Sequence, residues 1–147
     1  KYFPKDLLSR NEQREDPVFD RTREWLILYF QGQVPTFTPP LAPRGTPFRK
    51  AVWEILLEIP YGRVTTYGEI ARRMAARLGR PSMSAQAVGG AVGHNPISII
   101  IPCHRVVGSS GSLTGYAGGL EKKAALLALE GADLQHLLTD GAWNTGP

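Results

Sequence analysis

Apolar positions recur with helical spacing in several stretches of the chain, and each stretch has its own start and stop signals. Asp16-Pro17 is typical of a helix start and predicts a first helix that ends near Gly32. Thr46-Pro47 predicts the start of a second helix, which Pro60 ends. The apolar stripe of this second helix consists of Phe48, Val52, Ile55, Leu56 and Ile59.

The next two predicted helices are separated by only a few residues. Thr66 and Glu69 form a capping box at the start of a helix that should run to Leu78. Ser84 can cap a further short helix with the sequence AQAVGGAV. Two helices joined by so short a connection are typical of a helix-turn-helix.

The short helix after Ser84 carries very small side chains, among them Ala85, Gly89 and Gly90. Glycine disfavours helix, so its presence there calls for a reason. Small side chains allow a backbone to approach another molecule closely, and they equally allow close packing against another helix. The motif alone leaves both explanations open.

A proline-rich stretch separates the first predicted helix from the rest of the chain. Residues 33–44 contain four prolines and are typical of an extended linker. We therefore expect two parts, residues 1–44 and residues 45–147. In the second part a last helix, LEKKAALLALEG, should end at Gly131.

Composition narrows the class of protein. Hydrophobic residues make up 42% and charged residues 20% of the 147, which indicates a globular domain. No apolar run reaches membrane-spanning length, so we expect no membrane partner. A single cysteine excludes a disulfide scaffold and suits the reducing cytoplasm. The net charge of +4 is weak evidence for a polyanionic partner.

The only cysteine, Cys103, lies in the sequence SIIIPCHRVVG. A free cysteine is most often a buried small hydrophobic residue, but a neighbouring base can make it a nucleophile. His104 could be that base, with Glu130 orienting it. The run before Pro102 resembles a buried strand, and adjacent strand residues face opposite ways. A Cys-His pair here therefore needs an irregular backbone or a bridging water.

The stretch NPISIIIPCHRVVGSSGSLTGYAGGLEKKAALLALEG resembles the active-site region of the O6-alkylguanine-DNA alkyltransferases, and VTTYGEIA and AVGGA resemble other parts of that family. The resemblance implies an α+β protein in which a winged helix-turn-helix alkyltransferase domain follows a partial N-terminal domain. Family members open with strands of a small sheet, whereas this chain begins at KYFPKDLL. We therefore expect residues 1–44 to be the remnant of a truncated N-terminal domain plus the linker.

The resemblance also implies an activity, the repair of DNA by direct reversal of damage. The alkyl group of O6-alkylguanine, with O4-alkylthymine as a second candidate, moves to Cys103, and the protein is consumed in this single turnover. The implied relay runs from Cys103 through a water to His104 and Glu130. Asn95 would brace the turn around the nucleophile, and the Tyr67 hydroxyl would donate to the guanine as its oxygen loses the alkyl group.

Further residues match positions of the family that bind substrate or DNA. The Val106 carbonyl, Tyr116 and Ser109 would contact the flipped base or its phosphate. The duplex would lie against a set of residues on the short helix, namely Ser84, Ala85, Gln86, Gly89 and Gly90. Gln86 stands where the family usually has an arginine that fills the gap left by the flipped base. We expect Arg105 to be structural, bonding carbonyls or a carboxylate below the site.

The expected partner is double-stranded DNA that contains O6-alkylguanine, and we expect the protein to be a monomer. No cofactor and no metal are expected. The main alternative is a helix-turn-helix DNA-binding or damage-recognition protein without chemistry, in which Cys103 is merely buried. A Cys-His hydrolase is disfavoured, because such enzymes bring together a cysteine and a histidine that are distant in sequence.

Overall fold

The computed structural model describes residues 17–113, 116 and 119–138. The chain divides into two compact units, Lys1–Ala42 and Pro43–Pro147. Within the described residues, no helix is both long enough and apolar enough to cross a membrane. The two units are described separately below.

The first unit contains helix α1, Pro17–Phe30. Trp25 and Tyr29 lie one turn apart on its buried face, with their rings stacked at 5.2 Å. The helix ends where Gly32 adopts a φ of 80°, a conformation that glycine accepts without strain. The predicted helix is confirmed, while its predicted cap, Asp16, lies outside the described residues.

The second unit begins with two helices whose predicted caps are confirmed. Helix α2 spans Pro47–Leu57, and the Thr46 side chain accepts from the Arg49 N–H at 3.1 Å. Helix α3 spans Tyr67–Leu78, and the Thr66 side chain accepts from the Glu69 N–H at 3.0 Å. Each cap satisfies a backbone donor that the first helical turn leaves without an intrahelical partner.

Helix α4 spans Ala85–Gly93 and is capped by Ser84, which accepts from the Ala87 N–H at 3.2 Å. Its buried face consists of Val88, Ala91 and Val92. The Trp53 indole of α2 donates to the Ala91 carbonyl at 2.8 Å and so ties α2 to α4. The last helix, α5, spans Leu120–Glu130, and Gly131 ends it in the left-handed conformation. Both predicted helices are confirmed.

A short parallel sheet joins distant parts of the second unit. Strand β1, Thr65–Thr66, pairs with β2, Val106–Val107, in the register Thr65 to Val106. Val64, Val107 and Leu127 form a buried cluster beside the sheet. Helices combined with this small sheet make the protein α+β, as expected. The sheet places the start of α3 next to the segment that follows Cys103.

Candidate active site

Asn95 organises the segment that leads to Cys103. Its side chain is buried, its Oδ1 accepts from the Ile97 N–H at 2.9 Å, and its Nδ2 donates to the Ile101 carbonyl at 2.8 Å. Asn95 also acts to lower the pKa of the Cys103 thiol. Asn95 thus holds both ends of the turn, consistent with the predicted bracing role.

Two three-residue turns lie between Asn95 and Cys103. The Ile100 N–H donates to the Ser98 carbonyl at 3.0 Å around Ile99, whose φ is 77°. The Cys103 N–H donates to the Ile101 carbonyl at 2.8 Å around Pro102, whose φ is −82° and ψ is 66°. These are a γ-turn and an inverse γ-turn, and the first is strained, because a β-branched residue disfavours positive φ.

The prediction of a strand before Pro102 is therefore wrong. Ser98 and Ile101 form only an isolated bridge, and the backbone between them turns sharply. Four consecutive apolar or small residues fit a buried strand and a buried turn equally well. The side chain of Asn95 decides between them, since it satisfies polar groups that a strand partner would otherwise have to satisfy.

Cys103 begins a single 3-10 turn, Cys103–Arg105. Its side chain is 7% exposed. Burial raises the pKa of the thiol, while hydrogen bonds from Asn95 and Ser98 and the positive charge of Lys123 oppose that rise. The 3-10 turn supplies the irregular backbone that an adjacent Cys-His pair requires.

His104 and Arg105 both bind Glu130 from the turn. His104 Nε2 lies 2.7 Å from Glu130 Oε2, and Arg105 donates to both carboxylate oxygens at 2.9 Å. Arg105 also donates to the Ile59 carbonyl at 2.8 Å, and the Gly62 N–H donates to Glu130 at 3.0 Å. The predicted structural role of Arg105 is confirmed, and Glu130 is the centre of a fully buried ionic network.

The charges of this network follow from its contacts. Burial alone would raise the pKa of Glu130, but the hydrogen bonds from His104 and Arg105 outweigh burial and hold the pKa at about 2. Burial lowers the pKa of His104, although Glu130 opposes the shift. The imidazole is therefore neutral at neutral pH. Because a carboxylate only accepts, Nε2 carries the proton and Nδ1 is the basic nitrogen.

Lys123 is a site residue that the sequence reasoning missed. It is fully buried in α5 and donates to the Val106 carbonyl, and its ammonium lies 6.0 Å from the centre of the Tyr67 ring. Burial lowers its pKa to about 8, while Cys103 acts in the opposite direction. Helical spacing was the available signal, since Lys123 shares the buried face of α5 with Leu126, Leu127 and Glu130.

Both tyrosines that the resemblance assigns to the site are half-buried. Tyr67, the first residue of α3, is half-buried and lies against Gly89 of α4, where an added Cβ would be 3.9 Å from the ring. Tyr116 is half-buried. Burial, then the Cys103 charge, raise the pKa of Tyr116 to about 12, so its hydroxyl stays protonated.

The residues expected to meet DNA lie apart from the network. Ser84, Ala85, Gln86 and Gly90 are exposed, and Gly89 is half-buried. A Cβ added at Gly90 would have open space around it. Ser109 is exposed on the turn after β2. Within the described part of the chain, no group of three His, Cys, Asp or Glu residues could hold a metal ion.

Comparison with known proteins identifies the family of proteins that share this arrangement. A family model described as the DNA-binding domain of 6-O-methylguanine DNA methyltransferase matches residues 47–132. The Haemophilus influenzae methylated-DNA–protein-cysteine methyltransferase is 51% identical over 133 residues, which cover 87% of this chain and 72% of the relative. The Methanosarcina acetivorans protein of the same name is 52% identical over 117 residues, covering 80% of this chain and 72% of the relative.

Solved structures agree with the sequence comparison. The Mycobacterium tuberculosis OGT protein in complex with DNA is 50% identical, with a TM-score of 0.70 over 77% of this chain and 67% of that one. The fold thus combines a buried cysteine, followed directly by the His104–Glu130 pair, with an exposed helix of small residues. The chain belongs to the 6-O-methylguanine DNA methyltransferase family.

Proposed function

We propose that this protein repairs duplex DNA by transferring the alkyl group of O6-alkylguanine to Cys103. One observation carries the proposal. The chain's only cysteine lies on the turn that Asn95 holds, directly before His104, whose Nε2 lies 2.7 Å from Glu130. The positive charge of Lys123 lowers the pKa of this thiol and so opposes the effect of burial. A structural cysteine needs none of these groups, whereas a nucleophilic thiolate needs a base or a positive field.

In the proposed reaction, His104 Nδ1 takes the thiol proton through a bridging water, and Glu130 stabilises the imidazolium that forms. The thiolate sulfur attacks the alkyl carbon, a carbon–sulfur bond forms, and the carbon–oxygen bond breaks. The electron pair of that bond goes to guanine O6 and the ring, and a proton donated by Tyr67 leaves a normal guanine. The thioether product has a very poor leaving group toward water, so the protein acts once.

The Val106 carbonyl would hold the exocyclic amine of the base. It already accepts from Lys123, and a carbonyl oxygen has two lone pairs, so both contacts are compatible. Tyr116 would form a wall of the base pocket. The Val106 carbonyl would thus contact both the base and Lys123, whose positive charge stabilises the thiolate.

We propose that α3 and α4 form the helix-turn-helix, with the turn after β2 as the wing. The exposed small residues of α4 would enter the minor groove, which admits a helix only if its face is nearly bare. The damaged base would be flipped out of the stack, because chemistry on O6 is not possible inside it. Ser84, Ala85 and Ser109 would contact the backbone of the duplex. A reactive thiol needs a reducing compartment, and we propose that the protein acts in the cytoplasm.

The proposal is tested by weighing the intact protein after incubation with a duplex that contains one O6-methylguanine. We expect the mass to rise by one methylene group per chain, with no further gain and no recovery on prolonged incubation. The control duplex carries guanine at the same position. Repair of more than one equivalent of DNA per chain, or an unchanged mass, contradicts the proposal.

Gln86 provides a second test, because it stands at the position proposed to fill the space of the flipped base. Gln86→Arg should speed repair of duplex DNA, since arginine adds reach, a planar stacking surface and a charge near the phosphates. Gln86→Ala should slow duplex repair. Both variants should react with free O6-alkylguanine at the normal rate, because the free base needs no flipping. Parallel changes with both substrates would show that residue 86 acts on the pocket instead.

A further inference from the structure

Gln86 and His94 are the two longest side chains on the exposed side of α4, one near each end of the helix. His94 caps the C-terminus, and Gln86, Gly90 and His94 follow one another at intervals of four positions, which places them on one side of the helix. All three are exposed, and a Cβ added at Gly90 or at Gly93 would have open space around it. His94 therefore lies at the edge of the bare surface that is proposed to meet the duplex.

The His94 ring is held in place by the last turn of α4. Its Nδ1 lies 2.7 Å from the Gly90 carbonyl oxygen, which also accepts from the His94 N–H at 3.2 Å. A carbonyl oxygen only accepts and has two lone pairs, so Nδ1 carries a proton and both contacts are compatible. The second nitrogen, Nε2, is left to bind a group outside the chain. It accepts when the ring is neutral and donates only when the ring is an imidazolium.

His94 is the only ionisable side chain among residues 81–102. The segment contains α4 and both of its flanks, so the surface proposed to meet a polyanion has no permanent charge of its own. The last carbonyls of a helix carry partial negative charge, which repels a phosphate and favours a cation. The C-terminal end of α4 can thus attract a phosphate only if His94 is protonated.

We propose that His94 is a DNA-binding residue, whose imidazolium donates a hydrogen bond from Nε2 to a backbone phosphate of the duplex. The proposal rests on the proposed function and deepens it, because it takes α4 as the helix that meets the DNA. The proton comes from the solvent, so binding of the duplex takes up a proton at Nε2. The affinity for DNA should therefore rise as the pH falls through the range in which histidine ordinarily gains its charge, about pH 8 to 5.

Other charged groups lie on the two helices that pack against α4. Trp53 of α2 donates to the Ala91 carbonyl, and Tyr67 of α3 lies against Gly89. The charged side chains of α2, of its C-cap and of α3 are Arg49, Lys50, Glu54, Glu58, Glu69, Arg72, Arg73 and Arg77. Carboxylates, ammonium groups and guanidinium groups ordinarily keep their charge between about pH 5 and 8. A change of DNA affinity in this range that depends on residue 94 is therefore due to the imidazole.

The experiment measures the affinity of the full chain for an unmodified, fluorescently labelled duplex at about pH 5.5 and about pH 8. Fluorescence anisotropy at fixed salt gives the Kd. His94→Gln keeps an amide donor but cannot gain a charge. It should bind about threefold to fivefold more weakly than the native protein at the acid pH, the upper range for an exposed ion pair. At about pH 8 the two proteins should bind equally. Equal affinities at both pH values overturn the proposal.

The salt dependence shows whether the partner of His94 is a phosphate. A phosphate contact made by a cation steepens the fall of log affinity with log salt by about one. The native protein at the acid pH should therefore have a slope steeper by about one than that of His94→Gln. Equal slopes overturn the proposal. An equal loss of affinity in His94→Gln at both pH values would show that the neutral ring binds a base edge, such as the amino group of guanine in the minor groove, and also overturns it.

His94→Arg supplies a permanent charge at the same position. It should bind about as tightly at the alkaline pH as the native protein does at the acid pH, and the part of the pH dependence due to residue 94 should disappear. A pH dependence equal to that of the native protein overturns the proposal, and this variant decides alone if His94→Gln does not fold.

His136→Gln is the matched control, because His136 is also exposed and its Nδ1 lies 3.0 Å from Asp133. It should bind as the native protein does at both pH values. Lys123, whose pKa is about 8, titrates in the native protein and in the variants alike, so comparison between them removes its effect. The same acid loss in His136→Gln would show that any exposed histidine contributes, and overturns a specific role for His94.

The unmodified duplex offers no alkyl group, and this separates the two proposals. If the native protein gains no mass from O6-methylguanine but His94→Gln loses affinity only at the acid pH, the proposed repair function fails and the role of His94 stands. If the native protein gains mass and His94→Gln binds normally, the function stands and the role of His94 fails. A native protein that binds no duplex overturns both.

Discussion

Cys103→Ala is expected to abolish alkyl transfer completely, with no mass gain after incubation with a duplex that contains O6-methylguanine. Alanine has no lone pair to attack the alkyl carbon, and the rest of the chain contains no other thiol. The variant should fold, because Cys103 is a small residue and its loss from the core is worth about 1 kcal/mol. Intact mass and thermal unfolding of the same sample check both points.

DNA binding should survive this substitution. The exposed face of α4 is separate from the buried sulfur, so a gel-shift titration with the same duplex should give an affinity close to that of the native protein. A Cys103→Ala protein that still gains the alkyl mass would show that another residue is the acceptor. Loss of binding together with normal folding would place the thiol in DNA recognition.

Glu130→Gln should lower the free energy of unfolding by about 3 to 5 kcal/mol, the cost of removing one partner from a buried ion pair. Arg105 would keep its buried charge without the carboxylate that it binds through two oxygens. Urea unfolding at neutral pH measures the loss. Glu121→Gln, at an exposed position in the first turn of the same helix, is the control and should change stability by less than about 1 kcal/mol.

Glu130 should also make the free energy of unfolding depend on pH in the acid range. The pKa of Glu130 is about 2 in the folded protein against an ordinary value of 4.5, so its contribution is complete above pH 4.5 and is lost as the pH falls toward 2. The contribution is worth about 3 kcal/mol. Glu130→Gln should lack this part of the acid dependence. A native protein and a variant that lose stability in parallel between pH 4.5 and 2 would contradict the assignment.

The helices could be predicted because their signals are local. Thr46, Thr66 and Ser84 each cap a helix through a backbone donor within three residues, so the sequence contains the whole interaction. Gly131 ends α5 for a similarly local reason, the left-handed conformation. The polar network was also partly predictable. Arg105 and Glu130 both lie in apolar stretches of the sequence, and a buried charge needs a partner of opposite charge.

The turn before Cys103 and the role of Lys123 could not be predicted in the same way. The turn depends on Asn95, whose side chain bonds a carbonyl six positions away. Lys123 of α5 donates to the Val106 carbonyl of β2, 17 positions earlier in the chain. These contacts exist only once the second unit is packed. A lysine is normally exposed, so its buried position carries no signal in composition alone.

The pairing of β1 with β2 affects when the site residues can come together as the chain is synthesised. The paired residues Thr65 and Val106 are roughly forty positions apart, and a loop of that length must close before either strand has a partner. Glu130 lies further along the chain still, so a nascent chain that ends before α5 carries Cys103 and His104 without the partner of the histidine, Glu130, and without the cation, Lys123. The full set of site residues therefore exists only once α5 has been synthesised and packed. A protein that can act only once thus acquires the partners of its nucleophile last.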